Sequence, residues 1–282
     1  PQGGDVMVKE RDYSHLSFFR RWLKKSFIDD SLRKYTLKNA SAVTYGNKTM
    51  LAFIRGWAEP KKYFECFQGI NFNKMKTTAN VKSLKNKLGV VDKKIVFSPR
   101  MFNSNSNIDI IIQTIPHVIK NNPNVVYIFA SHLGIDSYTL KLKRLIKAIN
   151  VSDHCMFIDE IEQSEMPNYY AISDVIMSIL SSDGMPATVL EAMAMESPLV
   201  LSRIPIYMDT FSQYTISAKL RDVSSTASAI LKILNQDSEI IQKQKNGYDW
   251  VRRNADEKLI NNELENNYLK LITGESESNI IN

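Results

Sequence analysis

The chain has 282 residues, of which 44% are hydrophobic and 23% charged. That is a globular balance, and it excludes disorder, collagen and coiled coil as the main architecture. The formal charge of +6 is unevenly spread: residues 1–90 hold 18 basic and 7 acidic side chains, residues 91–282 hold 18 and 23. A basic segment is therefore joined to a mildly acidic one, which points to two surfaces with different partners.

The start, PQGGDVMVKERD, lacks the basic, apolar and small-residue zones of a signal peptide. It opens on Pro and a Gly-Gly-Asp turn, so the chain is expected to be the interior of a longer protein. A basic amphipathic helix is predicted over about 14–38, with Leu16, Phe19, Leu23 and Phe27 on one face and Arg20, Arg21, Lys24 and Lys25 on another. Two readings fit it: a core stripe with a solvated basic face, or contact with an anionic membrane surface. A short strand AVTY, a helix near 48–56 and a strand KYFECF follow.

From about residue 92, short β-branched runs alternate with helical ones: KKIVFS, NIDIIIQTIPHVIKNN, NVVYIFA, SYTLKLKRLIKAIN, HCMFI, a helix near SEMPNYYAI, DVIMSIL, PATVLEAMAM and PLVLS. Apolar strands separated by helices predict βαβ units and a parallel sheet, an α/β doubly wound domain of five strands. Beyond Leu201 the strands fade, and helices are predicted at about 224–234, 238–253 and 256–273, with a frayed polar tail GESESNIIN.

Cys66 and Cys155 lie far apart in apolar runs and read as buried thiols of a reducing compartment, consistent with a cytoplasmic location. No apolar stretch approaches the roughly 18–20 residues of a membrane span. The four histidines, at 15, 117, 132 and 154, and the two cysteines show no ligand spacing, so no metal is expected. No groove-reading or aromatic-basic pattern indicates a nucleic-acid partner.

The richest stretch is SSDGMPATVLEAMAMESP, residues 181–198. An apolar strand runs into an Asp-Gly turn, and Pro186 is read as the first residue of a helix, where its missing N–H costs nothing. Such a strand-turn-helix lies at the carboxyl end of a parallel strand, where doubly wound folds bind ligands. The N–H groups around Ala187 and Thr188 would face an anion, with the Thr188 hydroxyl as a further donor. Asp183 precedes the helix and Glu191 follows eight residues later, so the two carboxylates can each take a different hydroxyl of one ligand. The plainer reading is an Asp-Gly turn followed by a solvated Glu.

Here the sequence resembles the nucleotide-sugar glycosyltransferases of GT-B fold, in particular glycosyltransferase family 4, whose signature is an acid, seven residues and then a Glu within a run like LEAMA. Asp183, Gly184, Pro186, LEAMA at 190–194 and SPLV at 197–200 match it. The resemblance implies that Asp183 contacts hydroxyls of the donor sugar and Glu191 holds the nucleotide ribose, with Gly184, Met185, Pro186, Ala187 and Thr188 forming the donor-side turn. FSPR at 97–100 resembles the family strand ending in an Arg that grips the donor diphosphate, making Arg100 the candidate, a task suited to guanidinium geometry. IDE at 158–160 resembles the loop that touches the base, through Asp159 and Glu160. The implied domains are 1–82, the end of an acceptor domain and linker; 83–250, a Rossmann-like donor domain; and 251–282, a C-terminal helix and tail.

Four positions depart from the family pattern. Asn107 stands in the neighbourhood of a usual Lys and is the donor-binding candidate in its place, Asp183 is Asp rather than Glu, Glu196 replaces a usual Gly and Gln2 replaces a His. The resemblance implies a retaining transfer from a nucleoside-diphosphate sugar to a glycan or lipid-linked acceptor, without a metal, with Arg100, Asp183 and Glu191 carrying the chemistry. The alternative is a truncated module that binds nucleotide sugar without transferring it.

Overall fold

The computed structural model describes residues 30–56, 63–66, 68–77, 81–130, 136–184, 186–236 and 238–273. They form two compact units, the described residues within Pro1–Gly69, Ser182–Met185 and Glu257–Asn282 making one, and those within Ile70–Ser181 and Pro186–Asp256 the other.

Among the described residues, the first unit holds helix α1 (Asp30–Asn39), strand β1 (Val43–Tyr45), helix α2 (Lys48–Arg55) and strand β2 (Tyr63–Glu65). Helix α1 is the described part of the predicted 14–38 helix; the rest of that prediction lies outside the described residues. Asn47 starts α2 as its N-cap, its Oδ1 accepting the Met50 N–H at 2.8 Å, which satisfies one of the orphan donors of the first turn. The helix carries the chain across so that β2 pairs parallel to β1, Val43 opposite Tyr63. Leu37, Val43, Met50 and Ile54 close a small core.

The second unit holds helix α3 (Val81–Lys87), strand β3 (Lys94–Ser98), helix α4 (Ile108–Ile119), strand β4 (Val125–Ala130), helix α5 (Asp136–Ala148), strand β5 (Cys155–Ile158), helix α6 (Met166–Ile172), strand β6 (Val175–Ser178), helix α7 (Ala187–Ala194), strand β7 (Leu199–Ser202), helix α8 (Pro205–Phe211), strand β8 (Ile216–Ala218), helix α9 (Val223–Leu234) and helix α10 (Ser238–Asn254). Helix α11 (Glu257–Thr273) belongs to the first unit.

The predicted parallel sheet is present, with six strands in the order β5-β4-β3-β6-β7-β8 and every pairing parallel. All six residues of β4 are buried, as in a sheet covered on both faces. The core is dense in isoleucine from α4, where Ile108, Ile111, Ile112 and Ile115 are fully buried and meet Ile230 and Ile233 of α9.

Three elements escape the sequence pattern: α3, α8 and the edge strand β8. β8 is three residues with a serine at its centre, too short to show alternation, and it exists because β7 offers it a partner. The cysteines are unpaired, as expected, but both are only partly buried. Burial pushes the Cys155 thiol up to about 12, so it is protonated at neutral pH. No helix among the described residues is long and apolar enough to cross a membrane.

Candidate nucleotide-sugar site

The chain runs outward from β3 through β4 to β5, then crosses back and runs outward from β6 through β7 to β8. The order therefore reverses between β3 and β6, and doubly wound sheets take ligands in the crevice beyond the carboxyl ends of the strands at such a point. Arg100 lies two residues past β3, and Ser178 is the last residue of β6.

These two residues meet. Arg100 donates to Ser178 Oγ from Nε at 3.0 Å and from Nη2 at 2.8 Å. Ser178 is fully buried, and its Oγ lies 3.4 Å from the Tyr207 hydroxyl of α8. A buried hydroxyl thus sets the plane of a partly exposed guanidinium without neutralising it.

Helix α7 adds positive potential at its start and a carboxylate one turn on. The structure corrects the reading of Pro186 as the first helical residue: it is the N-cap, with φ −82° and ψ 67°, and α7 begins at Ala187. The proline carbonyl accepts the N–H groups of Val189 and Leu190 at 2.9 and 3.1 Å. No side chain caps the helix, and the leading N–H groups, those of Ala187 and Thr188, have no acceptor within it, so the first turn favours an anion. Glu191, one turn further on, is partly buried, and the buried Tyr170 donates its hydroxyl to Glu191 Oε2 at 2.8 Å. Burial raises the Glu191 pKa above the usual carboxylate value, while the Tyr170 hydrogen bond and the nearby Arg100 charge pull it back.

Asn107 is fully buried and its side chain is committed inside the protein. Its Nδ2 donates to the Ile179 carbonyl at 2.7 Å and to Ser181 Oγ at 2.9 Å; its Oδ1 accepts from Arg221 Nη1 at 2.6 Å. Its backbone is left-handed, φ 50°. Arg221 also reaches Asp109 Oδ2 at 3.2 Å, and Asp109 Oδ1 accepts the Tyr138 hydroxyl at 3.1 Å. Asn107 therefore secures the loop after β6 to the start of α4.

Asp159 and Glu160 are exposed at the carboxyl end of β5, two strands from β3. Asp183 and Gly184 belong to the first unit, where Asp183 Oδ1 accepts the Gly184 N–H at 2.8 Å and the Gly184 carbonyl accepts from Asn47 Nδ2 at 3.2 Å. Met185 lies outside the described residues. Among the described residues, no group of three or more His, Cys, Asp or Glu side chains is placed to hold a metal ion. A cavity of about 450 Å³ opens near Lys94, Asp174 and Pro198, at the amino ends of β3, β6 and β7 and away from Arg100.

Sequence reasoning did not single out Ser178, Tyr207 or Arg221, and it read Tyr169 and Tyr170 only as core or rim residues; both are buried. A serine ending the otherwise apolar run VIMS was the one available signal.

The family model described as Glycosyl transferases group 1 matches residues 80–250, more than half of the chain. The O-antigen biosynthesis glycosyltransferase WclY of Escherichia coli is 30% identical over 123 residues, 44% of this chain and 32% of that protein. The alpha-monoglucosyldiacylglycerol synthase of Streptococcus pneumoniae is 27% identical over 156 residues, 55% of this chain and 35% of that protein. The chain thus spans about a third of the length of the curated relatives it matches. Among solved structures, sucrose-phosphate synthase from Thermosynechococcus elongatus superposes with a TM-score of 0.81 at 17% identity, covering 98% of this chain and 67% of that one. HepE from Anabaena, in complex with UDP-glucose, superposes with a TM-score of 0.78 at 15% identity, covering 86% and 67%. These likenesses agree with an α/β fold of the GT-B type.

Proposed function

We propose a function from one premise: the chain belongs to the group 1 glycosyl transferases, whose family model it matches over residues 80–250. In our reading it binds a nucleoside-diphosphate sugar and serves transfer of that sugar, with retention, to a glycan or lipid-linked acceptor in cell-surface polysaccharide or glycoconjugate synthesis. The observation that supports this reading is that Arg100, held by Ser178 at the point where the strand order reverses, is near enough to Glu191 of α7 to pull its pKa down, on a helix whose start no side chain caps.

Retaining transfer of this kind needs charge on the departing diphosphate to be met more than it needs a strong base. Arg100 and the Ala187 and Thr188 amides supply positive potential for it, and Glu191 accepts hydroxyls of the ribose. Asp183 takes the donor-sugar hydroxyls, and Asp159 and Glu160 take the base. We write the scheme without a metal. The O-antigen and glycolipid relatives favour a polysaccharide or lipid-linked acceptor, and HepE with UDP-glucose favours a nucleotide-sugar donor.

In the same reading the chain is a family 4 member. It works in the cytoplasm, at an inner membrane face reached through the basic 14–38 segment. Calorimetry of UDP, GDP and ADP binding on the wild type, Glu191→Ala and Arg100→Ala tests the donor site: both variants are expected to lose affinity, and equal affinity in all three sinks the assignment. Co-sedimentation with vesicles, with and without anionic lipid, tests the membrane contact.

A second reading, nucleotide-sugar binding without transfer, draws on the confinement of the family match to 80–250. Product formation from a labelled sugar nucleotide, compared with a form extended at its N-terminus, separates the two.

A further inference from the structure

We propose that Tyr170 is a positioning residue that holds Glu191 in the orientation that receives the vicinal hydroxyls of the donor ribose, an inference that rests on the ribose role given to Glu191 above.

The geometry is specific. Tyr170 lies on α6 and Glu191 on α7, and the phenol bridges them through the 2.8 Å bond to Oε2. Thr188, one turn before Glu191, lies on the same helix beside the Tyr170 hydroxyl, whose pKa it acts to lower. A tyrosine hydroxyl has one proton to give. That proton is committed to Glu191 Oε2, so the phenol fixes the carboxylate.

The ring itself cannot drift. Tyr170 is 1% exposed and packs edge-on against Phe97 of β3, with centroids 6.1 Å apart. Glu191 has three rotatable side-chain bonds, and an unheld carboxylate would lose that freedom on binding a diol. With Oε2 already held, Oε1 and the remaining lone pair of Oε2 face a ligand in one arrangement. No other hydrogen bond to the Glu191 carboxylate occurs among the described residues. The ordering has been done by folding, so ribose binding does not have to do it again.

The consequence is selectivity. An ordered carboxylate acts on hydroxyls, so loss of the Tyr170 bond weakens ligands that carry the ribose diol and leaves alone those that lack it. A tyrosine that only filled the core would affect both alike.

The experiment takes whichever of UDP, GDP and ADP the full chain binds most tightly, together with its 2′,3′-dideoxy counterpart, and measures Kd for both by calorimetry. Four proteins are compared: wild type, Tyr170→Phe, Thr188→Val and Glu191→Ala. Tyr170→Phe keeps the ring and is expected to weaken the ribonucleotide about 10-fold, with less than a roughly twofold change for the dideoxy form. Thr188→Val is expected to act in the same sense by about threefold, and carries the test if the Phe variant does not fold. Equal weakening of both nucleotides, or of neither, by these two variants overturns the inference while Glu191→Ala still discriminates. If Glu191→Ala fails to discriminate, or no nucleotide binds, the ribose reading itself fails and the inference falls with it.

Discussion

Asn107 and Arg221, 114 positions apart in the chain, both hold left-handed backbone, φ 50° and 55°, and are joined by a 2.6 Å hydrogen bond from Arg221 Nη1 to Asn107 Oδ1. Asparagine tolerates that conformation and arginine does so poorly. The strain at Arg221 is offset by its two bonds, to Asn107 and to the Asp109 carboxylate. Together they fasten the start of α9 to the start of α4 beside the crevice.

Arg221→Ala keeps the strained backbone and removes both bonds, so a loss of about 1–2 kcal/mol is expected, held down by the exposure of the guanidinium. Arg221→Gly removes the bonds and the strain together. The expected order of stability in urea unfolding is wild type, then Gly, then Ala; an Ala variant as stable as the Gly variant contradicts this account.

Ser178→Ala removes the acceptor that sets the Arg100 guanidinium. Affinity for a nucleoside diphosphate is expected to fall about 3- to 10-fold, while affinity for the parent nucleoside stays the same. Calorimetry with both ligands reads the difference, and a matching loss for the nucleoside contradicts a diphosphate role for Arg100.

The raised pKa of Glu191 makes a pH-dependent contribution to folding. Burial favours the protonated carboxyl, so the contribution is fully present below the ordinary carboxylate pKa and is lost as pH rises through the elevated folded value. Glu191→Gln carries no charge at any pH. Its stability relative to wild type is expected to be greater at neutral pH than near pH 4, measured by urea midpoints across that interval. A constant difference rules out burial as the dominant influence on Glu191.

Glu196 follows α7 with φ 50° and an exposed side chain. Its carbonyl accepts Gln244 Nε2, a bond that any residue there retains. Glu196→Gly is therefore expected to stabilise the protein by about 0.5–1 kcal/mol, seen as a higher Tm. A lower Tm means that the Glu196 side chain contributes more than its backbone costs.

The sheet was legible where strands are long and apolar. VVYIFA and KKIVFS declare themselves through β-branched runs, and the helix of α4 through its isoleucines. The strand ISA was not legible, because three residues carry no period and β8 owes its conformation to β7. In the candidate site, Glu191 was a candidate through the spacing of its motif and Arg100 through its place at the end of the FSPR strand. Ser178 and Tyr170 could not, since a serine ending a strand and one of two adjacent tyrosines are ordinary locally. Their importance arises from which strand lies beside β3 and which helix lies beside α7. Asn107 was placed near the donor by its position, yet its amide is used up inside the protein, a fact that only the side-chain partners reveal.

The adjacency of β3 and β6 also has a kinetic side. Their pairing, Val96 with Val175 and Phe97 with Ile176, closes a far longer loop than the pairings of β3 with β4 or β6 with β7, and longer closures cost more entropy and come later. Arg100 and Ser178 come together only with that closure. A nucleotide bound as proposed would be a ligand of the finished sheet and not of the barrier crossing that makes it. Added to refolding protein, it is expected to leave the folding rate unchanged and to slow unfolding, placing its whole effect on the lifetime of the native state.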